Sequence, residues 1–107
     1  MTAIGFLSTA PVTEGRMSGD VATAIEALEA YDVRYEMGPM GTTIEAEDVA
    51  ELFAAAQAAH EAIDGDRVST FLKIDDKRSS DGTAAEKVAA VESHLGRAAS
   101  SEGDTDA

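Results

Sequence analysis

Between residues 2 and 76 the hydrophobic pattern runs strand, helix, strand and then repeats, and this repetition restricts the fold of the chain more than any other feature. Thr2 to Thr9 alternates and stops before Pro11, which predicts a first strand. A loop from Thr13 to Gly19 leads to Val21, Ala24, Ile25 and Leu28, spaced i, i+3, i+4 and i+7 on one face of a helix. Ser18 or Asp20 is placed to cap it. Val33, Tyr35 and Met37 then alternate with Arg34 and Glu36. Gly38-Pro39 breaks that strand, and a second from Met40 to Glu45 completes a hairpin. The next helix, from Glu47 to Ile63, sets Val49, Leu52, Phe53, Ala56, His60 and Ile63 on one side. After an Asp64-Gly65-Asp66 turn, Arg67 to Asp75 alternates again, with Val68, Thr70, Leu72 and Ile74 facing one way.

Two β-α-β halves, residues 2–38 and 40–76, predict an α+β fold: a ferredoxin-like βαββαβ sandwich whose helices cover one face of a four-stranded sheet. The uncovered face would carry Arg34 and Glu36, then Gly41, Thr43 and Glu45, then Ser69, Phe71 and Lys73. Small, polar and aromatic groups in that mixture suit a partner sheet or a ligand. An additional C-terminal helix follows, with Thr83 and Glu86 as a capping box and a narrow stripe of Val88, Val91 and Leu95. Another subunit satisfies such a stripe more easily than this chain does, so a homo-oligomer is expected. One domain is expected over residues 1–98. Residues 99–107 lack an apolar anchor and read as a disordered acidic tail.

Composition narrows the function classes. Eight basic residues stand against 21 acidic ones, a formal charge of -13, which argues against binding bare nucleic acid. The absence of cysteine excludes a disulfide scaffold, thiolate catalysis and zinc-thiolate sites. No apolar run approaches the ~20 residues of a membrane span, and the first ten residues lack a basic leader. A cytoplasmic location is the expectation. The acidity is dispersed and lysine scarce, a surface suited to a high-salt cytoplasm, where the Debye length falls to about 3 Å at molar salt. Dialysis to low salt is therefore expected to unfold the chain, and a full circular-dichroism signal in dilute buffer would contradict that. Apolar residues reach 44% but aromatic ones only 5%, so Ala, Val, Ile and Leu must build the core.

Signatures of catalysis are missing. There is no Gly-x-Gly-x-x-Gly, no Walker spacing and no Gly-x-Ser-x-Gly. Neither His60, expected at a core boundary, nor His94 has a second ligand at metal-binding spacing. No catalytic residue and no metal site is assigned. In Pro39 to Glu45, glycine lets the backbone approach something closely, and Thr42 and Glu45 offer a hydroxyl and a carboxylate near one another; a plain hairpin with a solvated acid is the alternative. In Lys73 to Arg78, alternation puts Lys73 and Asp75 on one face and Asp76 across from them, a poor metal clamp and a natural ion-pair cluster.

Pro39-Met40-Gly41-Thr42 with Ile44-Glu45, followed by Arg67-Val68-Ser69-Thr70 and Lys73-Ile74-Asp75, resembles the small thiamine-binding protein family. Ser8-Thr9-Ala10-Pro11 and residues 18–24 are similar to that family's first strand and helix entry, so the resemblance covers residues 2 to 97. Ala46 stands where glycine commonly follows the Glu, and Lys77 precedes Arg78. The resemblance implies dimers or tetramers assembled through sheet faces. It also implies binding of thiamine or its hydroxymethylpyrimidine moiety, without an assigned reaction. Thr42, Glu45, Lys73, Asp75 and Arg78 match the family's motif, with Ser8 as a further polar contact. Thr42 and Glu45 would read the donors and acceptors of an aminopyrimidine edge together. Lys73 with Asp75 serves equally well as a subunit contact. The expected protein is a non-enzymatic, cytoplasmic, oligomeric binder with no cofactor beyond this ligand. The alternatives are a small-molecule enzyme using the open sheet face and a purely structural or regulatory oligomer.

Overall fold

The structure, a computed structural model, describes residues 1–103. Its elements are β1 (Thr2–Pro11), α1 (Ser18–Leu28), β2 (Arg34–Met37), β3 (Thr42–Ala46), α2 (Val49–Ala62), β4 (Val68–Lys77) and α3 (Ala84–Leu95). The strands lie in the order β2-β3-β1-β4, and every neighbouring pair is antiparallel. This is the ferredoxin-like α+β sandwich, with α1 and α2 on one face of the sheet and α3 appended.

Register decides what the two helices cover. Gly5 lies between Ile44 and Ile74, and Leu7 between Thr42 and Leu72, all beneath the helices. Leu28, Ile44 and Leu52 are the largest fully buried side chains, and Leu7, Ile63 and six alanines complete the buried core: Ala3, Ala24, Ala46, Ala55, Ala56 and Ala59. Small residues let helix and sheet approach closely. At Gly5, an added Cβ would stand 3.1 Å from one Leu52 methyl and 3.2 Å from the other.

Several local expectations are corrected. β1 continues through Pro11, because β3 begins opposite Leu7 and the missing proline N–H falls where no β3 strand needs it. Met17, not Ser18 or Asp20, is the N-cap of α1, and no side chain caps the backbone there. Asp20 lies within the first turn instead, where its charge complements the helix dipole. Phe53 is exposed, since the inward positions of α2 are Leu52, Ala55, Ala56 and Ala59, and Phe53 lies a further ~100° round the helix. Asp48 caps α2 by accepting from the Ala50 N–H at 2.8 Å, and Thr83 caps α3 by accepting from Glu86 N–H at 3.1 Å. Residues 99–103 have no regular secondary structure, and residues 104–107 of the expected acidic tail lie outside the described residues.

No residue of α3 is buried, and its Val88, Val91 and Leu95 stripe is exposed. Polar contacts hold it to the sheet. The Ala84 N–H donates to Glu45, Lys87 Nζ lies 2.6 Å from Asp75 Oδ2, and the amino terminus pairs with Asp81. The hydrogen bond and charge of Lys87 hold the Asp75 carboxyl below its ordinary value, with Lys77 and Lys73 acting in the same direction. A depressed carboxylate stabilises the fold above its unfolded pKa, and that stabilisation is lost as pH falls through the lower folded value. The tether is therefore fully present at neutral pH and is released only below the ordinary carboxylate range. Asp75→Asn is expected to speed amide exchange across residues 84–95 at pH 7 while leaving β1 and β3 protected. Unchanged exchange in α3 would show that the ion pair does not hold it.

Candidate functional site

A cavity of about 200 Å³ opens between α1, the end of β1 and the β2–β3 hairpin. Ala24, Ile25 and Leu28 of α1 form one wall, and the hairpin from Met37 to Met40 forms the other. Three of the chain's four methionines, Met17, Met37 and Met40, line it. Thr42, buried beneath the helices, and Ser8, Thr9 and Ala10 at the end of β1 also line it. No carboxylate, imidazole or amine lines it.

The backbone of β1 has a free edge here. From Ser8 to Pro11 it pairs with β4 on one side, but β3 does not reach this far on the other. The Val12 N–H donates to the Arg67 carbonyl on the β4 side at 2.8 Å. Strand backbone groups alternate between the two edges, so the N–H and C=O of Thr9 point away from β4, toward the side left vacant by β3. One donor and one acceptor from a single residue therefore face the cavity side, two residues along β1 from Leu7, the partner of Thr42.

The residues singled out in the sequence do not converge. Thr42 and Ser8 line this cavity, but strand alternation turns the Ser8 side chain to the open face beside Phe71, and Glu45 lies on that opposite face too. Residues three apart in a strand point to opposite faces, so Thr42 and Glu45 do not read one ring edge together. The Glu45 carboxylate is occupied by Arg34 Nε at 3.0 Å and by the Ala84 N–H. Lys73 and Asp75 line a separate concavity on the open face, where Asp75 is paired with Lys87. Arg78 projects beyond the end of β4, with its Nε 3.1 Å from Asp76 Oδ2. The close approach at Gly41 is made by the protein itself: an added Cβ would stand 2.3 Å from the Phe6 ring and 2.9 Å from the Leu7 carbonyl oxygen. His60 sits at the core boundary, its Nδ1 2.5 Å from Thr70 Oγ1, which in turn lies 2.6 Å from Thr9 Oγ1. Met17, Met37, Met40 and the Thr9 backbone escaped the sequence reading. Methionine scarcity was the available signal, since two of only four bracket Gly38-Pro39.

Residues 6–92 match the family described as thiamine-binding protein. The chain belongs to that family. A Methanothermobacter thermautotrophicus protein named UPF0045 is 49% identical over 82 residues, which cover 74% of this chain and 83% of the relative. A Bacillus subtilis UPF0045 protein is 38% identical over 86 residues, covering 74% and 82%. Among solved structures, a hypothetical protein of Methanocaldococcus jannaschii superposes with a TM-score of 0.77 at 33% identity, over 84% of this chain and 95% of that one. A Thermotoga maritima protein named for thiamine biosynthesis or salvage gives a TM-score of 0.65 at 26% identity, over 85% and 99%. The family is described by binding, not by a reaction, and both expectations of fold and family from the sequence motifs hold.

Proposed function

We propose that the cavity between α1 and the β2–β3 hairpin binds the aminopyrimidine half of thiamine, without turnover. The free edge of β1 carries this reading. An aminopyrimidine needs adjacent donors and acceptors along one edge, and the Thr9 main chain with the Thr42 hydroxyl offers both at the polar end of an otherwise apolar slot. Methionine thioethers suit the faces of a flat heteroaromatic ring. Size favours the smaller moiety: about 200 Å³ falls short of the ~300 Å³ at which pockets begin to take drug-sized molecules. A lining of hydroxyls and thioethers has no group to act as a general base near neutral pH, which supports binding over catalysis.

Thr42→Val keeps the shape and removes the hydroxyl. It is expected to weaken hydroxymethylpyrimidine binding about tenfold, the value of one buried hydrogen bond. Glu45→Gln, on the other face, is expected to leave the affinity unchanged. The reverse pattern would move the site to the open face.

The same proposal includes a cytoplasmic homo-oligomer. Phe6 and Phe71 are exposed on the open sheet face and the apolar stripe of α3 is uncovered, a combination that a second copy of the chain would bury. No helix among the described residues is long and apolar enough to cross a membrane. Sedimentation at high salt tests the assembly, and a monomeric mass would contradict it.

A further inference from the structure

Three polar side chains join the β4 edge of the sheet to the wall of the pyrimidine cavity, all on the helix-covered side and away from the open face. His60, in the last turn of α2, places Nδ1 2.5 Å from Thr70 Oγ1 on β4, and Thr70 Oγ1 lies 2.6 Å from Thr9 Oγ1 on β1. Thr9 lines the cavity, whereas His60 and Thr70 line a separate concavity of about 270 Å³ between α2 and β4. Register builds this contact. Thr9 and Thr70 are direct partners, and the Thr9 N–H and C=O point away from β4, so the pair is of the non-hydrogen-bonded kind that brings side chains closest. Both point to the helix side, as the next pair on that face, Leu7 and Leu72, does. Thr70 is exposed and His60 half-buried, so the imidazole exchanges protons with solvent at one end of the chain while Thr9 meets the cavity at the other.

No ion pair involves His60 among the described residues, and its concavity is otherwise lined by the uncharged Phe53, Ala56, Gln57 and Leu72. Of the elements packed on α2, β1 carries no charged residue and β3 only Glu45, on the open face. On β4, Lys73, Asp75 and Lys77 are turned to the open face, and Asp76 lies six residues beyond Thr70. Asp20 and Glu26 belong to α1, Glu51 and Glu61 to α2 itself, and Asp64, Asp66 and Arg67 to the turn after it. Glu51 is bonded to the Asp32 N–H and Glu61 to Gln57.

We propose that His60 sets, through Thr70, whether the Thr9 hydroxyl accepts or donates at the cavity. Its consequence for binding rests on the pyrimidine reading of the cavity, whereas the relay itself does not. A hydroxyl carries one proton and two lone pairs, so the end of the chain fixes the order of donation along it. With the neutral ring protonated on Nε2, Nδ1 accepts from Thr70 and Thr70 accepts from Thr9. The Thr9 oxygen then keeps a lone pair for the exocyclic amino group of the ligand. Protonation puts a hydrogen on Nδ1, which donates to Thr70, and Thr70 donates to Thr9. The Thr9 proton is thereby turned toward the cavity, where it opposes an N–H donor. A protonated His60 therefore weakens binding of an amino-substituted ring. His60 is a positioning residue, since it does not itself line the cavity.

Calorimetry with hydroxymethylpyrimidine in molar KCl, from about pH 5 to pH 8 where imidazole ordinarily changes charge, tests the relay. The aminopyrimidine ring also takes up a proton in acid, so the quantity that decides is the difference between parent and variant profiles. On acidification the parent is expected to lose about tenfold more affinity than His60→Gln, the value of one hydrogen bond. Thr70→Val retains the branching a strand prefers, keeps His60 and Thr9, and cuts the chain between them. It is expected to match His60→Gln. A Thr70→Val protein with the parent's profile would overturn the relay, since the imidazole charge would then act through space. In the ligand-free parent, the nuclear magnetic resonance signal of the Thr9 methyl should titrate with the same midpoint as the His60 ring, and should lose that titration in Thr70→Val. A Thr9 signal indifferent to His60 would overturn the proposal. A Thr9 signal that follows His60 in a parent binding no hydroxymethylpyrimidine would uphold the relay and remove the pyrimidine reading instead.

Discussion

Leu52→Ala is expected to cost about 2–5 kcal/mol of folding stability, a large share of the ~5–15 kcal/mol typical of a small domain. Leu52 is fully buried, in a core that it shares with Leu7, Leu28, Ile44, Ile63 and six alanines. Alanines offer few atoms able to swing into the space left behind, so the cavity stays open and the cost falls toward the upper end. Gly5 provides an internal check. A methyl group at Gly5 would press on both Leu52 methyls, at 3.1 and 3.2 Å, so Gly5→Ala alone should destabilise by about 1–3 kcal/mol. In Leu52→Ala the same methyl enters vacated space. The double variant should therefore be more stable than the sum of the single costs allows. Urea melts of all four proteins measure this, and strict additivity would mean that Gly5 and Leu52 are not packed against one another.

Gly41→Ala is the second large effect, and its cause lies in the backbone. The added methyl would meet the Phe6 ring at 2.3 Å and the Leu7 carbonyl oxygen at 2.9 Å. The ring can turn aside, because Phe6 lies on the open face and is 37% exposed. The carbonyl belongs to β1, which is hydrogen-bonded into the sheet and cannot move without displacing it. A destabilisation of about 1–3 kcal/mol is expected, with a further loss of pyrimidine affinity because Gly41 precedes Thr42 at the cavity. Phe6→Ala combined with Gly41→Ala should recover only part of the stability, since the contact with Leu7 remains. Full recovery would place the whole clash on the ring.

The topology was legible because each element announces itself by its own period. Val21, Ala24, Ile25 and Leu28 face the sheet as a 3.6-residue repeat requires. The alternation in β2, β3 and β4 correctly separates Arg34, Glu36, Thr43 and Lys73 from the helix-covered side. Phe53 was misplaced because a hydrophobic residue beside the seam of α2 looks inward when the register is one position uncertain, and the smaller Ala55 and Ala59 fill the seam instead. The candidate site was legible only in pieces. Thr42 lines the cavity, but joining it to Glu45 treated nearness in sequence as nearness in space, which strand alternation forbids. The free edge of β1 could not be read at all. It depends on β3 starting opposite Leu7, a matter of pairing register that no single strand's residues encode.

In the proposed complex a pyrimidine ring occupies the cavity between α1 and the hairpin. Calorimetric titration in molar KCl, with hydroxymethylpyrimidine and thiamine injected separately into protein of known mass, tests it most directly. Hydroxymethylpyrimidine is expected to bind saturably at one per subunit, with thiamine binding at the same stoichiometry through the same ring. A folded protein that gives no heat with hydroxymethylpyrimidine would contradict it.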